Sequence, residues 1–179
     1  MSSNERSRNR RFVEEVLPHA GAAYNLARWM SRSEADARDI VQEAIVRALR
    51  YFGSYHGGAA RSWLLTIVRN TAYTWLSSNP PVAQWDATAD SSSAEGAGDP
   101  DHAAASDPLS EITRQEEADH LRQAIAQLPV EYREVLVLRE LEDLTYRQIA
   151  TIVGCPIGTV MSRLSRARDQ LGAQLRGEA

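Results

Sequence analysis

A chain of 179 residues has room for one large or two small domains, and its formal charge of −4 is the balance of 20 basic and 24 acidic residues. The lone cysteine, Cys155, excludes an internal disulfide and any all-cysteine zinc site, and His19, His56, His102 and His120 show no metal-ligand spacing, so neither a metal nor a cofactor is expected. P-loop, dinucleotide fingerprint and nucleophile elbow are all missing, leaving an enzyme reading no residues to rest on, and no apolar run is long enough to span a bilayer.

The first stretch, Met1 to Arg11, is rich in arginine, but Glu14 and Glu15 follow where a signal peptide would place its apolar core. A cytoplasmic protein without membrane insertion is therefore expected. The first strong helical pattern is Glu34 to Phe52, with Ser33 placed as its N-cap and Asp36 as the acidic follower. Ile40, Val41, Ala44, Ile45, Ala48 and Leu49 form its buried stripe, and Asp39, Gln42, Glu43, Arg47 and Arg50 lie opposite. Taken alone, that second face is an ordinary mixed-charge surface.

A glycine-broken loop, Tyr51 to Ala60, leads into a helix over Arg61 to Ser77. Trp63, Leu64, Ile67, Val68, Ala72 and Leu76 give it a broad apolar stripe, which suits a core helix. Arg61, Arg69, Asn70, Tyr73 and Trp75 are left over. Guanidinium groups interleaved with aromatic rings suit single-stranded DNA, because unstacked bases lie on ring faces while cations track phosphates.

From Pro80 to Ser110 the chain is rich in Pro, Gly, Ser, Ala and Asp, with no basic residue and no sustained apolar period. It reads as a flexible acidic linker that separates residues 1–79 from 111–179. The first part has 11 arginines against 7 acids, the linker has 6 acids, and the last part has 9 arginines against 11 acids. Acidity is thus concentrated away from the candidate DNA faces. For the linker, a solubilising tether is the plain reading of its composition.

The last part contains two short amphipathic helices around a Gly-Cys-Pro turn, Leu144 to Leu171, the pattern of a helix-turn-helix. Thr145 and Gln148 are spaced as a capping box for the first helix, whose apolar set is Leu144, Ile149, Ile152 and Val153. Gly154 sits where a helix end needs left-handed backbone, and Pro156 where a new helix starts. Cys155, in the turn, is expected to act as a small hydrophobe. In the second helix Val160, Leu164, Ala167 and Leu171 face inward, which leaves Thr159, Ser162, Arg163 and Arg166 outward. Outward arginines are also what any solvated helix shows, and all 20 basic residues here are arginine, so residue choice alone does not decide.

A longer combination is more specific. Leu128-Pro129, the helix Arg133 through Glu140, and Gly158 through Arg168 (Gly-Thr-Val-x-Ser-Arg-Leu-x-Arg-Ala-Arg) together resemble region four of extracytoplasmic-function (group IV) sigma factors of bacterial RNA polymerase. Asp39-Ile40-Val41-Gln42-Glu43 is similar to the core of that family's polymerase-docking helix, and Trp63-Leu64-x-x-Ile67-x-Arg69-Asn70 to its promoter-melting helix. The resemblance implies an all-α protein, two small helical domains joined by the flexible acidic linker, the C-terminal one a helix-turn-helix. It implies docking on core RNA polymerase (clamp and flap) through Asp39, Gln42, Glu43 and Arg47, with Pro129 to Leu141 at the flap. The melted minus 10 strand would meet Arg61, Trp63, Arg69, Asn70 and Tyr73, and the minus 35 promoter DNA would meet Thr159, Ser162, Arg163, Arg166 and Arg168.

The family also implies an anti-sigma factor as partner, a stress or envelope response, and a connector that threads the polymerase cleft, where Asp86, Asp90, Glu95, Asp99, Asp101 and Asp107 would compete for surface meant for nucleic acid. Two departures stand out. Ser77-Ser78-Asn79-Pro80-Pro81 replaces a basic run, and Met161 stands where many relatives have a cation, so the isolated chain is expected to bind duplex DNA weakly. A stand-alone DNA-binding regulator and a pure interaction protein are the rival readings; the first has no use for the docking helix, the second none for Arg163 and Arg166.

Overall fold

The computed structural model describes residues 3–79 and 108–177, which form eight α-helices, two single turns of 3-10 helix and short connections, with no strand among the described residues. Most of the linker expectation, including the six acids from Asp86 to Asp107, lies outside the described residues. Two helices absent from the sequence expectation come first: α1 (Ser3–Glu15) and α2 (Ala20–Ser31). Phe12 and Val16 from the start, and Ala23, Leu26, Ala27 and Met30 at steps of three and four in α2, are buried. Arg32 ends α2 in left-handed backbone, φ 61°.

α3 (Glu34–Tyr51) begins as expected, with the Ser33 hydroxyl accepting from the Asp36 amide at 3.3 Å. Ile40, Ala44 and Ala48 are buried, and Val41, Ile45 and Leu49 are half-buried against them. α4 (Ala60–Ser78) buries Leu64, Val68 and Ala72 from the expected stripe, and Leu65 beside them.

In the second half, α5 (Pro108–Gln127) starts just inside the stretch read as linker, and is followed by α6 (Val130–Glu140), α7 (Tyr146–Val153) and α8 (Ile157–Leu175). The capping box is present: the Thr145 amide donates to Gln148 Oε1 at 2.9 Å and the Gln148 amide to Thr145 Oγ1 at 3.3 Å. Gly154 takes φ 71° and its amide closes on the Ala150 carbonyl. Val160, Leu164 and Ala167 are buried in α8 with Leu171 half-buried, and Cys155 is a half-buried free thiol packed on the core.

The two helical units share one core. A single cluster of buried side chains runs from Phe12 through Leu26, Ile40 and Val68 to Leu138, Ile149 and Leu164, because α2 and α4 lie against α6 and α7. In α6 four consecutive residues, Val135, Leu136, Val137 and Leu138, are all buried. One helix face cannot hold four neighbours in sequence, so α6 is enclosed on several sides, by α2, α7 and α8.

Two arginines clip this junction. Arg133 donates from Nη1 to the Trp29 carbonyl at 2.9 Å and from Nη2 to the Leu128 carbonyl at 3.1 Å, and Arg32 Nη1 reaches the Ala126 carbonyl at 3.5 Å. Both serve carbonyls near helix C-termini, where the macrodipole favours a cation. Burial, with the nearby Arg32 charge, brings the Arg133 guanidinium down to about 10.

Candidate polymerase and nucleic-acid interfaces

On α3, the capped start and the inward stripe fix the opposite face. Asp39, Gln42 and Glu43 are exposed there, beside exposed Val46 and Arg50, and Arg47 donates to Glu43 at 2.7 Å one turn away. The four expected docking residues therefore share one open surface.

The α4 residues are placed differently. Trp63 is half-buried and closes an aromatic cluster with Tyr55 (centroids 4.9 Å apart) and Phe52 (6.3 Å), and Phe52 in turn meets Phe12. Arg69 is bonded to Glu134 of α6 by two nitrogens, Nε at 2.8 Å and Nη2 at 3.2 Å, and lies over the Tyr73 ring at 4.5 Å. Arg61 is ion-paired with Glu142, which also accepts from Asn25 Nδ2 at 3.2 Å. Of the five residues expected at the melted strand, Asn70 is the exposed one.

On α8, Thr159 is half-buried, while Ser162 is exposed with its hydroxyl bonded back to the Thr159 carbonyl at 3.0 Å. Arg163 leans inward toward Glu134, 3.5 Å away, and Arg168 pairs with Glu140 of α6 at 2.6 Å. Arg166 is exposed and has no ion-pair partner among the described residues. Ile157 and Met161, four residues apart, are 41% and 53% exposed, so the open part of this helix is more apolar than its composition suggests.

Glu134, 0% exposed, is the centre that sequence patterning missed: Arg69 from α4 and Arg163 from α8 converge on it, with Tyr73 alongside. Complete burial pushes its carboxyl above the ordinary glutamate range, against the pull of Arg69. Tyr73 is pushed from 10.0 up to about 12, first by burial and then by the Glu134 charge. A raised pKa means that the proton stabilises the packed state: the contribution of Tyr73 is fully present below pH 10 and lost as pH rises through about 12. The near-ultraviolet tyrosinate difference between the protein and its Tyr73→Phe variant should show that late titration; a midpoint near 10 would mean that Tyr73 is not enclosed as described.

Comparison with known proteins decides the family. Residues 16–80 match the model of Sigma-70 region 2, and residues 119–171 that of Sigma-70, region 4. The RNA polymerase sigma-H factor of Pseudomonas aeruginosa is 40% identical over 147 residues, covering 78% of this chain and 73% of that protein. The ECF RNA polymerase sigma-E factor of Escherichia coli K12 is 37% identical over 148 residues, with 76% and 72% covered.

The chain belongs to the extracytoplasmic-function sigma-70 family.

Among solved structures, the sigma factor RpoE of Bartonella quintana, in complex with the anti-sigma factor NepR, superposes with a TM-score of 0.65 at 26% identity, covering 94% of this chain and 98% of that one. CnrH, in complex with the cytosolic domain of CnrY, shares the fold with a TM-score of 0.64 at 22% identity, covering 96% and 91%. As a member of this family the chain is a non-catalytic subunit that binds core RNA polymerase and directs promoter-specific initiation. None of its described helices is long and apolar enough to cross a membrane.

Proposed function

We propose that this sigma factor docks on the polymerase clamp through Asp39, Gln42, Glu43 and Arg47, engages the melted minus 10 strand along α4 with Arg61, Trp63, Arg69, Asn70 and Tyr73, and places α8 in the major groove of the minus 35 element with Thr159, Ser162, Arg163, Arg166 and Arg168. Pro129 to Leu141 serves the flap. The observation that carries this reading is the open, charged face of α3 on the same chain as a capped helix-turn-helix. Control by an anti-sigma factor fits the likeness to a relative solved with one, and a stress role fits the sigma-E relatives. Such work places the protein in the cytoplasm. The division into a unit over 1–79, a connector over 80–110 and a unit over 111–179 is supported by family matches over residues 16–80 and 119–171, which lie on either side of that connector.

Transcription in vitro with purified core polymerase tests it: promoter-specific initiation is expected only when this chain is added, and its absence would overturn the reading. Within α8, Arg166→Ala should weaken binding of holoenzyme to the minus 35 element by about 1–3 kcal/mol, since its exposed guanidinium is free for a guanine edge or a phosphate. Loss confined to certain bases marks a base contact, and equal loss across sequences marks a phosphate contact. Arg163→Ala is expected to follow the same rule, with an added structural cost because Arg163 also serves Glu134.

A further inference from the structure

The first turns of α8 present a face that the core does not use. Gly158, Met161, Ser162 and Ser165, at steps of three, four and seven from Gly158, are all exposed, whereas Val160, Leu164 and Ala167 are buried. Glycine and serine are small, so Met161 stands above its neighbours on that face. Ile157, one turn earlier and also exposed, lies beside it. Nothing in the fold asks for a slim residue at 158, since a β-carbon there would meet no atom within 4 Å. Its slimness is of use only to something that approaches α8 from outside.

The surroundings favour DNA over a protein as that visitor. Between residues 157 and 168 stand Arg163, Arg166 and Arg168, with no acid among them. Two apolar side chains fall far short of the roughly 800 Å² that a partner protein covers in a stable interface. A thioether offers no hydrogen-bond donor, so it gains nothing from a phosphate oxygen or from the guanine edge. The one apolar group that a base pair shows in the major groove is the C5-methyl of thymine.

We propose that Met161 is a specificity-determining residue that reads a thymine of the minus 35 element through its C5-methyl, with Gly158, Ser162 and Ser165 letting the helix come close enough for that contact. This rests on the placement of α8 in the major groove of the element. Ser162 and Arg166, farther round the helix and exposed, are left for polar contacts.

The test uses holoenzyme, the full chain on core polymerase, and a pool of duplex promoters randomised through the minus 35 region. Wild-type holoenzyme should enrich a thymine, on either strand, at one position where Met161→Ala holoenzyme shows no such preference, the other enriched positions being shared. Met161→Arg should exchange that thymine for guanine, whose edge fits the guanidinium fork. Burial of one methyl group corresponds to roughly a fourfold change in Kd. Uracil in place of that thymine removes only the methyl, so it should weaken wild-type binding about fourfold and leave Met161→Ala binding unchanged.

Replacing the thymines of the enriched element by uracil one at a time needs only the wild-type chain, and it decides the matter even where a variant fails to assemble on polymerase. Equal binding to thymine and uracil at every position, or the same element enriched by wild type and Met161→Ala, would overturn the assignment. If Arg166→Ala still alters the enriched element, only the role of Met161 falls. If wild-type holoenzyme enriches no minus 35 sequence, the placement of α8 falls with it.

Discussion

Leu164→Ala should destabilise the protein by about 2–5 kcal/mol and shift the unfolding of both helical units together. Leu164 is 1% exposed in α8 and belongs to the same buried cluster as Leu26, Met30 and Val68 of the N-terminal helices. Truncation removes its transfer free energy and leaves a cavity that the α6, α7 and α8 backbones cannot fill, because α6 is enclosed on several sides. Denaturant unfolding can be followed in two ways. Trp29, Trp63 and Trp75 sit half-buried in α2 and α4, so tryptophan fluorescence reports mainly the N-terminal unit, while far-ultraviolet dichroism reports all helices. With a shared core the two midpoints coincide in the wild type and move together in the variant. A fluorescence midpoint that stays put while dichroism moves would show that the units unfold separately.

What sequence made legible was local. Ser33, the Thr145 and Gln148 pair, and Gly154 each act within a few residues, and each is found doing what its chemistry suggests. The inward stripes of α3 and α8 were likewise readable, since steps of three and four declare a face. α5 gave no such signal: the helix is weakly patterned, its described N-terminal part is largely exposed, and its buried residues, Ala124 and Ala126, are too small to stand out. α2 did have a readable period in Ala23, Leu26, Ala27 and Met30, obscured by the polar, arginine-rich stretch before it.

The junction was hidden for another reason. Arg69 and Glu134 are 65 residues apart, and Arg61 and Glu142 are 81 apart, so nothing local links them. The residues outside the apolar stripe of α4 are outward only with respect to their own unit. One clue was present in the chain: the run Val135-Leu136-Val137-Leu138, preceded directly by Arg133 and Glu134, is too continuous for a helix with one buried side. A helix enclosed all round, with two charges next to that run, calls for partners of opposite charge or carbonyls brought from elsewhere.

Asp39→Arg should strongly reduce promoter-specific initiation while leaving the fold unchanged. Asp39 is exposed on α3, on the face opposite Ile40, Ala44 and Ala48, and it has no ion-pair partner among the described residues. Exposed substitutions of this kind normally alter stability by no more than about 0.5 kcal/mol. At an interface the same reversal sets a cation where a carboxylate is expected, beside Gln42 and Glu43. A charge that serves as a hot spot of a binding patch is worth about 2 kcal/mol or more, a factor of about thirty in Kd for core polymerase.

The substitution also separates two explanations for any loss of activity. Leu164→Ala would lower initiation by unfolding the chain, whereas Asp39→Arg would lower it with denaturation midpoint and helix content at wild-type values. Binding to core polymerase, measured directly, should fall in step with initiation. If Asp39→Arg binds and initiates normally, the open face of α3 is not the docking surface, and the exposed apolar and basic residues beside it, Val46 and Arg50, become the place to look.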